Sequence, residues 1–194
     1  MRHFLFIAVI CLFISACQQS PRKNYYLLSS PEIERNGTAE NIDKVIGIGP
    51  IEVAEYLNRL HIAYQAEDGS LVMAENDYWA EPLSKGIPRV LGLNLTRRDA
   101  SRSFVNFPWR NDSQPDYSLR LQIHSLNRAG NQAAINATWE LIDNTAKTNI
   151  LRRHFIRTTA AASGAQGLTK AYSQLLSELA SEMDEALAAL PSAE

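Results

Sequence analysis

Two periods of hydrophobicity alternate along this chain, and together they lay out most of its elements. At 117–124, Tyr117, Leu119, Leu121 and Ile123 alternate with Ser118, Arg120, Gln122 and His124, the two-residue period of a strand with one buried face. After a turn at 128–131 the same period resumes in Ile135, Ala137, Trp139 and Leu141, which predicts an antiparallel neighbour. A less regular strand over about 149–159 completes a meander. Residues 44–53 are rich in Val and Ile but interrupted by Gly47, Gly49 and Pro50, so a strand there must bend or approach other backbone closely. Segments 61–65 and 71–74 flank Asp68-Gly69, a pair that tolerates positive φ and predicts a hairpin. Further strands are predicted at 25–28 and from 104 to 107, with a polar loop at 29–43.

The period lengthens twice. Leu83, Ile87, Val90, Leu91 and Leu95 recur at three and four residues and predict a helix over about 81–97. Pro82 suits its first turn; Pro88, beside Gly86, removes a donor inside it and predicts a kink or a division into two short pieces. Leu168, Tyr172, Leu175, Leu179, Met183, Leu187 and Leu190 trace a longer stripe, so a second helix is expected at 166–190. Ser163 and Gln166 are spaced as a capping box before it, and Pro191 follows it. The polar face of this helix is acidic, which favours packing on the sheet over lying on a membrane. The pattern predicts a single α/β domain over 25–194, a mixed and largely antiparallel sheet of six or seven strands packed by two main helices.

The run at 4–14 is apolar throughout but too short to cross a ~30 Å hydrocarbon core as a helix. With Arg2 ahead of it and Ile14-Ser15-Ala16-Cys17 behind it, it reads as a signal peptide over 1–16, cut between Ala16 and Cys17. The motif is similar to the bacterial lipobox, which implies an S-diacylglycerol thioether on Cys17 and an N-palmitoyl chain on its new amino group. Acyl methylenes contribute ~0.8 kcal/mol each when buried, and two or more chains give stable attachment. Residues 17–24 then form a polar tether. Lipoproteins with aspartate after the lipidated cysteine tend to stay at the inner membrane; Gln18 here favours the periplasmic face of the outer membrane.

Composition removes other classes. The chain has two cysteines, Cys11 inside the signal and Cys17 in the thioether, so no intramolecular disulfide is expected. A formal net charge of −2 with scattered Lys and Arg gives no electrostatic footprint for nucleic acid. His61, His124 and His154 fall on separate strands without metal-ligand spacing; Gly47-Ile48-Gly49 lacks a third glycine and a following helix. The acids at 182, 184 and 185 read as a solvated helix face. No metal, cofactor or catalytic constellation is expected.

Several segments in order resemble the ABC-type transport auxiliary lipoproteins, the PqiC/YmbA-like family. They are Tyr25-Tyr26-Leu27-Leu28, Ile48-Gly49-Pro50-Ile51-Glu52-Val53 leading to Glu55-Tyr56-Leu57-Asn58-Arg59, and Trp79-Ala80-Glu81-Pro82-Leu83 opening the first helix. Val90-Leu91 to Asn94-Leu95, Phe107-Pro108-Trp109 and the strand residue Trp139 follow. The resemblance implies a non-enzymatic outer-membrane lipoprotein that docks the distal end of a periplasm-spanning conduit. That conduit would be built by an MCE-domain protein of an inner-membrane transport system that carries lipid and supports membrane integrity. A lipoprotein that holds an acyl chain in its own cavity is the alternative. Candidate partner contacts are Tyr56, Leu57, Arg59, Trp79, Phe107 and Trp109, since aromatic and Arg side chains are enriched at binding hot spots. Trp79 and Trp139 read first as core. A homo-oligomeric ring would match a cyclic partner.

Overall fold

A computed structural model describes residues 21–30, 44–66, 68–110 and 112–190. Cys17, the expected signal segment over 1–16 and Pro191 lie outside them. The order is β1 (Asn24–Tyr26), β2 (Lys44–Val53), a 3-10 turn (Glu55–Leu57), β3 (His61–Gln65), β4 (Leu71–Trp79), α1 (Leu83–Arg98), β5 (Arg102–Asn106), β6 (Tyr117–Ala129), β7 (Gln132–Asp143), β8 (Thr148–Ala160) and α2 (Gly164–Ala188). All eight strands join one mixed sheet, one or two more than the sequence pattern predicts.

The meander β6–β7–β8 is the spine, two long antiparallel pairings that run nearly the full length of each strand. The free side of β6 is shared: its first half pairs in parallel with β2, and Asn127 pairs with Gln65 of β3. β2 then carries β5, while β3 carries β4, which carries β1. Four pairings are parallel and three antiparallel, but the antiparallel ladders are longer, which preserves the largely antiparallel character.

Both helices lie on one side of this sheet and pack on each other. The alternation in β6 is the reason: Leu119, Leu121 and Ile123 are buried toward the helices, while Arg120, Gln122 and His124 are exposed on the other face. The apolar stripe of α2 is buried throughout, from Leu168 through Leu175 and Leu179 to Leu187. In α1 the residues Leu83, Ile87, Val90, Leu91 and Leu95 are all buried.

α1 is a single helix and does not divide at Pro88. An interior proline costs ~3 kcal/mol. Burying five aliphatic side chains at ~1.5–3 kcal/mol each outweighs it. The capping box before α2 does not form: Ser163 occupies the N-cap without a side-chain bond. Trp79 precedes the helix predicted over 81–97 and found at Leu83–Arg98. It ends β4, which runs five residues beyond the predicted 71–74 because Asp77, Tyr78 and Trp79 pair in parallel with β1. In β2 the register shifts between Ile48 and Ile51, so the strand bends at its Gly-Pro interruption.

Candidate docking surface

The six sequence candidates separate into core and surface. Leu57 and Trp79 are core residues, each 3% exposed, and are corrected from the contact set. Both are held inside by what they anchor. Leu57 closes the 3-10 turn, and the Trp79 amide donates to the Leu60 carbonyl at 2.6 Å. Tyr56 is half-buried and its hydroxyl is spent on β6: it donates to Asn127 Oδ1 (3.2 Å) and accepts from the Leu126 amide (3.2 Å). Burial pushes its phenol pKa up, partly offset by the backbone bond at Leu126, so it stays a neutral donor. Arg59 is exposed at the end of the turn.

Phe107 and Trp109 do lie together, edge to face at 5.2 Å, in the loop after β5. The Trp109 indole N–H donates to the Val105 carbonyl at 3.1 Å, and Phe107 is 49% exposed. They sit over the glycines of β2. A Cβ on Gly47 would lie 2.4 Å from Trp109 Cζ2 and 2.7 Å from Pro115 Cγ. One on Gly49, whose φ is +119°, would lie 2.7 Å from Phe107 Cβ. Side chains are absent at 47 and 49 because this loop occupies their place on the face away from the helices. Gly47→Ala is therefore expected to cost about 1–3 kcal/mol, the usual range for overpacking. Urea unfolding would read the loss, and a shift in tryptophan emission would locate it at Trp109.

Beside this loop the helix-free face of the sheet is concave and polar. Pro50 and Glu52 of β2, Arg120 and Gln122 of β6, Thr138 and Glu140 of β7, and Arg152 of β8 line a depression of about 210 Å³. Register explains the grouping, since Arg120 pairs with Glu140 and Glu140 with Arg152, one charge row across three strands. Arg152 Nε lies 3.2 Å from Glu140 Oε1. One row along, Thr138 Oγ1 meets His124 Nε2 at 2.8 Å and His154 Nδ1 at 3.2 Å, so two of the three strand histidines converge. No group of three His, Cys, Asp or Glu able to hold a metal occurs among the described residues.

On the helix side, a second cavity of about 330 Å³ opens between β3, β4 and the start of α2. Ile62, Tyr64, Val72, Ala74 and Leu168 form its walls, with Asp77 and Arg128 at its polar edge. Arg128 is occupied there, donating to the carbonyls of Ala162 (3.1 Å) and Gly164 (3.2 Å). The Tyr172 hydroxyl is buried without a partner, and burial pushes its pKa up.

Sequence reasoning missed the role of Glu182. It accepts the Trp139 indole N–H at 3.1 Å and lies 4.0 and 3.9 Å from the guanidinium groups of Arg153 and Arg157. The signal was its spacing, three residues after Leu179 on the edge of the buried stripe.

The sequence profile of the ABC-type transport auxiliary lipoprotein component family matches residues 26–184. The Escherichia coli (strain K12) intermembrane transport lipoprotein PqiC is 28% identical over 91 residues, 46% of this chain and 49% of that protein. The match thus spans about half the length of that curated relative. A crystal structure of an uncharacterized protein superposes with a TM-score of 0.70 at 18% identity, covering 86% of this chain and 99% of that one. The crystal structure of XCC0632 from Xanthomonas campestris gives 0.65 at 14% identity, covering 82% and 92%. These two likenesses show the fold.

Proposed function

Since the chain belongs to the ABC-type transport auxiliary lipoprotein family, which is not an enzyme family, we propose that it is the lipid-anchored outer-membrane subunit of an intermembrane lipid-transport system. Its task is to dock the end of a periplasm-spanning conduit built by an MCE-domain protein. Cys17 fixes the domain to the periplasmic face of the outer membrane, and the rigid sheet presents the docking surface.

The observation that carries this reading is the face of the sheet on which no helix lies among the described residues. A two-layer domain that leaves one face of its long strands without helices, and lines it with a row of ionic and hydrogen-bonding side chains, has a surface suited to a polar partner. The depression there is smaller than the ~300–1,000 Å³ usual for small-molecule pockets, and its walls are charged, which suits side chains of another protein. Phe107 supplies an exposed aromatic anchor at its rim. Charged pairs of this kind set specificity and register more than raw affinity.

A photo-crosslinking residue placed at Gln122 in cells is expected to capture an MCE-domain protein. The same residue at Lys170, exposed on α2 on the other side of the molecule, is expected to give far less. Capture of cell-wall enzymes alone at Gln122 would sink the docking reading.

The cavity beside β3 and β4 favours a second reading, in which the domain itself shelters an acyl chain against Ile62, Val72 and Leu168. Native mass spectrometry separates the two, because only this reading expects a stoichiometric lipid on the monomer.

A further inference from the structure

The edge of the sheet at β1 carries a row of aromatic side chains with a cation beside it. Tyr25 of β1 pairs with Tyr78 of β4, and Tyr78 pairs with His61 of β3, so the three rings stand in one cross-strand row on the helix-free face. Their centroids are 5.6 Å apart for Tyr25–Tyr78 and 4.4 Å for His61–Tyr78, and Lys23 Nζ lies 5.5 Å from the Tyr78 centroid. Leu27 and Leu60 beside them are 54% and 52% exposed, and Tyr25 is 64% exposed. Arg22 and Lys23, directly before β1, and Arg59, two residues before β3, are exposed. A monomer gains nothing from leaving Tyr25, Leu27 and Leu60 in water together, and the fold does not use them.

We propose that this edge rests on the bilayer surface, with Tyr25, Tyr78, Leu27 and Leu60 at the headgroup level and Lys23 among the lipid phosphates. The inference rests on lipidation at Cys17. Chain length carries it: seven residue steps separate Cys17 from Asn24. At ~3.3–3.6 Å per residue this holds the start of β1 within about 25 Å of the anchored residue, whatever path the chain takes. That keeps β1 and its neighbours within reach of the membrane, and their side chains select them. Their chemistry suits an interface: rings with an apolar body and a polar tip, aliphatic side chains, and cations for anionic headgroups. The opposite edge, β8, is five strand spacings from β1 in the sheet order. At ~4.8 Å per spacing that is about 24 Å along the sheet, so an orientation set by β1 keeps β8 clear of lipid and puts β6, three spacings from β1, about 14 Å from that edge.

The test uses the mature lipidated protein in vesicles of phosphatidylethanolamine and phosphatidylglycerol, some carrying a spin label near the headgroup. Because Cys17 is consumed by the thioether, a fluorophore can be placed uniquely at Leu60→Cys or at Ile150→Cys, exposed on β8. The label at 60 is expected to lose most of its emission and the label at 150 almost none. Adding Tyr25→Ser and Tyr78→Ser is expected to shrink that difference several-fold. Protein that floats with the vesicles but shows equal quenching at both positions, or a difference indifferent to the serine substitutions, overturns the proposal alone. Protein that does not float, with Cys17 itself open to labelling, overturns the anchor reading and this proposal with it.

Discussion

Trp139→Ala is expected to destabilise the domain by about 3–5 kcal/mol, the range for deleting a large buried aromatic. Domains of this size are stable by only ~5–15 kcal/mol, so the variant should be marginal. Trp139 is 0% exposed in the centre of β7, between Leu121 of β6 and Arg153 of β8, and its ring separates the sheet from α2. Its removal leaves a cavity at the meeting of the two layers and strips Glu182 of its indole donor. Two milder substitutions divide these effects. Trp139→Phe keeps most of the apolar area and loses the hydrogen bond to a carboxylate, worth about 1.5–3 kcal/mol. Glu182→Gln keeps a neutral acceptor for the indole, giving up about 1 kcal/mol of charge assistance, and loses attraction to Arg153 and Arg157, whose side chains are 48% and 54% exposed. Solvent screening limits that pair to ~0–1 kcal/mol. Urea midpoints should fall in the order Gln, Phe, Ala, with m unchanged. An alanine variant that loses less than the phenylalanine variant would mean that Trp139 is not what joins the layers.

The same residues show why some of this molecule is legible in its sequence and some is not. The meander and α2 announce themselves because burial there follows the local period. Leu119, Leu121 and Ile123 of β6 and the α2 stripe from Leu168 to Leu187 are buried for a reason a window of ten residues contains. The parallel pairings of β1 with β4 and of β2 with β5 leave no such trace, since they depend on partners more than fifty residues away. That is why the strand from 71 reads as ending at 74: its continuation to Trp79 is held by β1. Gly47 and Gly49 signal a close approach, but the sequence does not say to what. The answer, Phe107 and Trp109, arrives from a loop sixty residues on. Of the candidate contacts, residue type alone selected six. Exposure retains Arg59 and Phe107 fully and Trp109 in part, while Tyr56 is committed to β6. The charged depression went unselected because Arg120, Glu140 and Arg152 become a row only once register is known.

The largest effect expected of any single substitution is on location. On the proposed anchoring, Cys17→Ala removes the thiol that carries diacylglycerol, and with it the cut that exposes an amino group for a further chain. Each buried methylene contributes ~0.8 kcal/mol, and one chain alone gives only reversible binding, so loss of all chains should empty the outer-membrane fraction of this protein. The protein is then expected in the soluble periplasmic fraction, or at the inner membrane if the uncut segment 4–14 holds it there. Density-gradient separation of the envelope distinguishes these, and metabolic incorporation of labelled palmitate should vanish in parallel. Gln18→Asp is the complementary variant. It leaves every acyl chain in place, so palmitate labelling should persist while the protein shifts from the outer to the inner membrane. Both positions precede residues 26–184, the stretch that matches the family. Thermal unfolding of the two variants should therefore match the parent, which separates a failure of anchoring from a failure of folding. Retention of Cys17→Ala in the outer membrane at parental levels would mean that some other contact holds the protein there. The conduit-docking role would then have to be built without a lipid anchor.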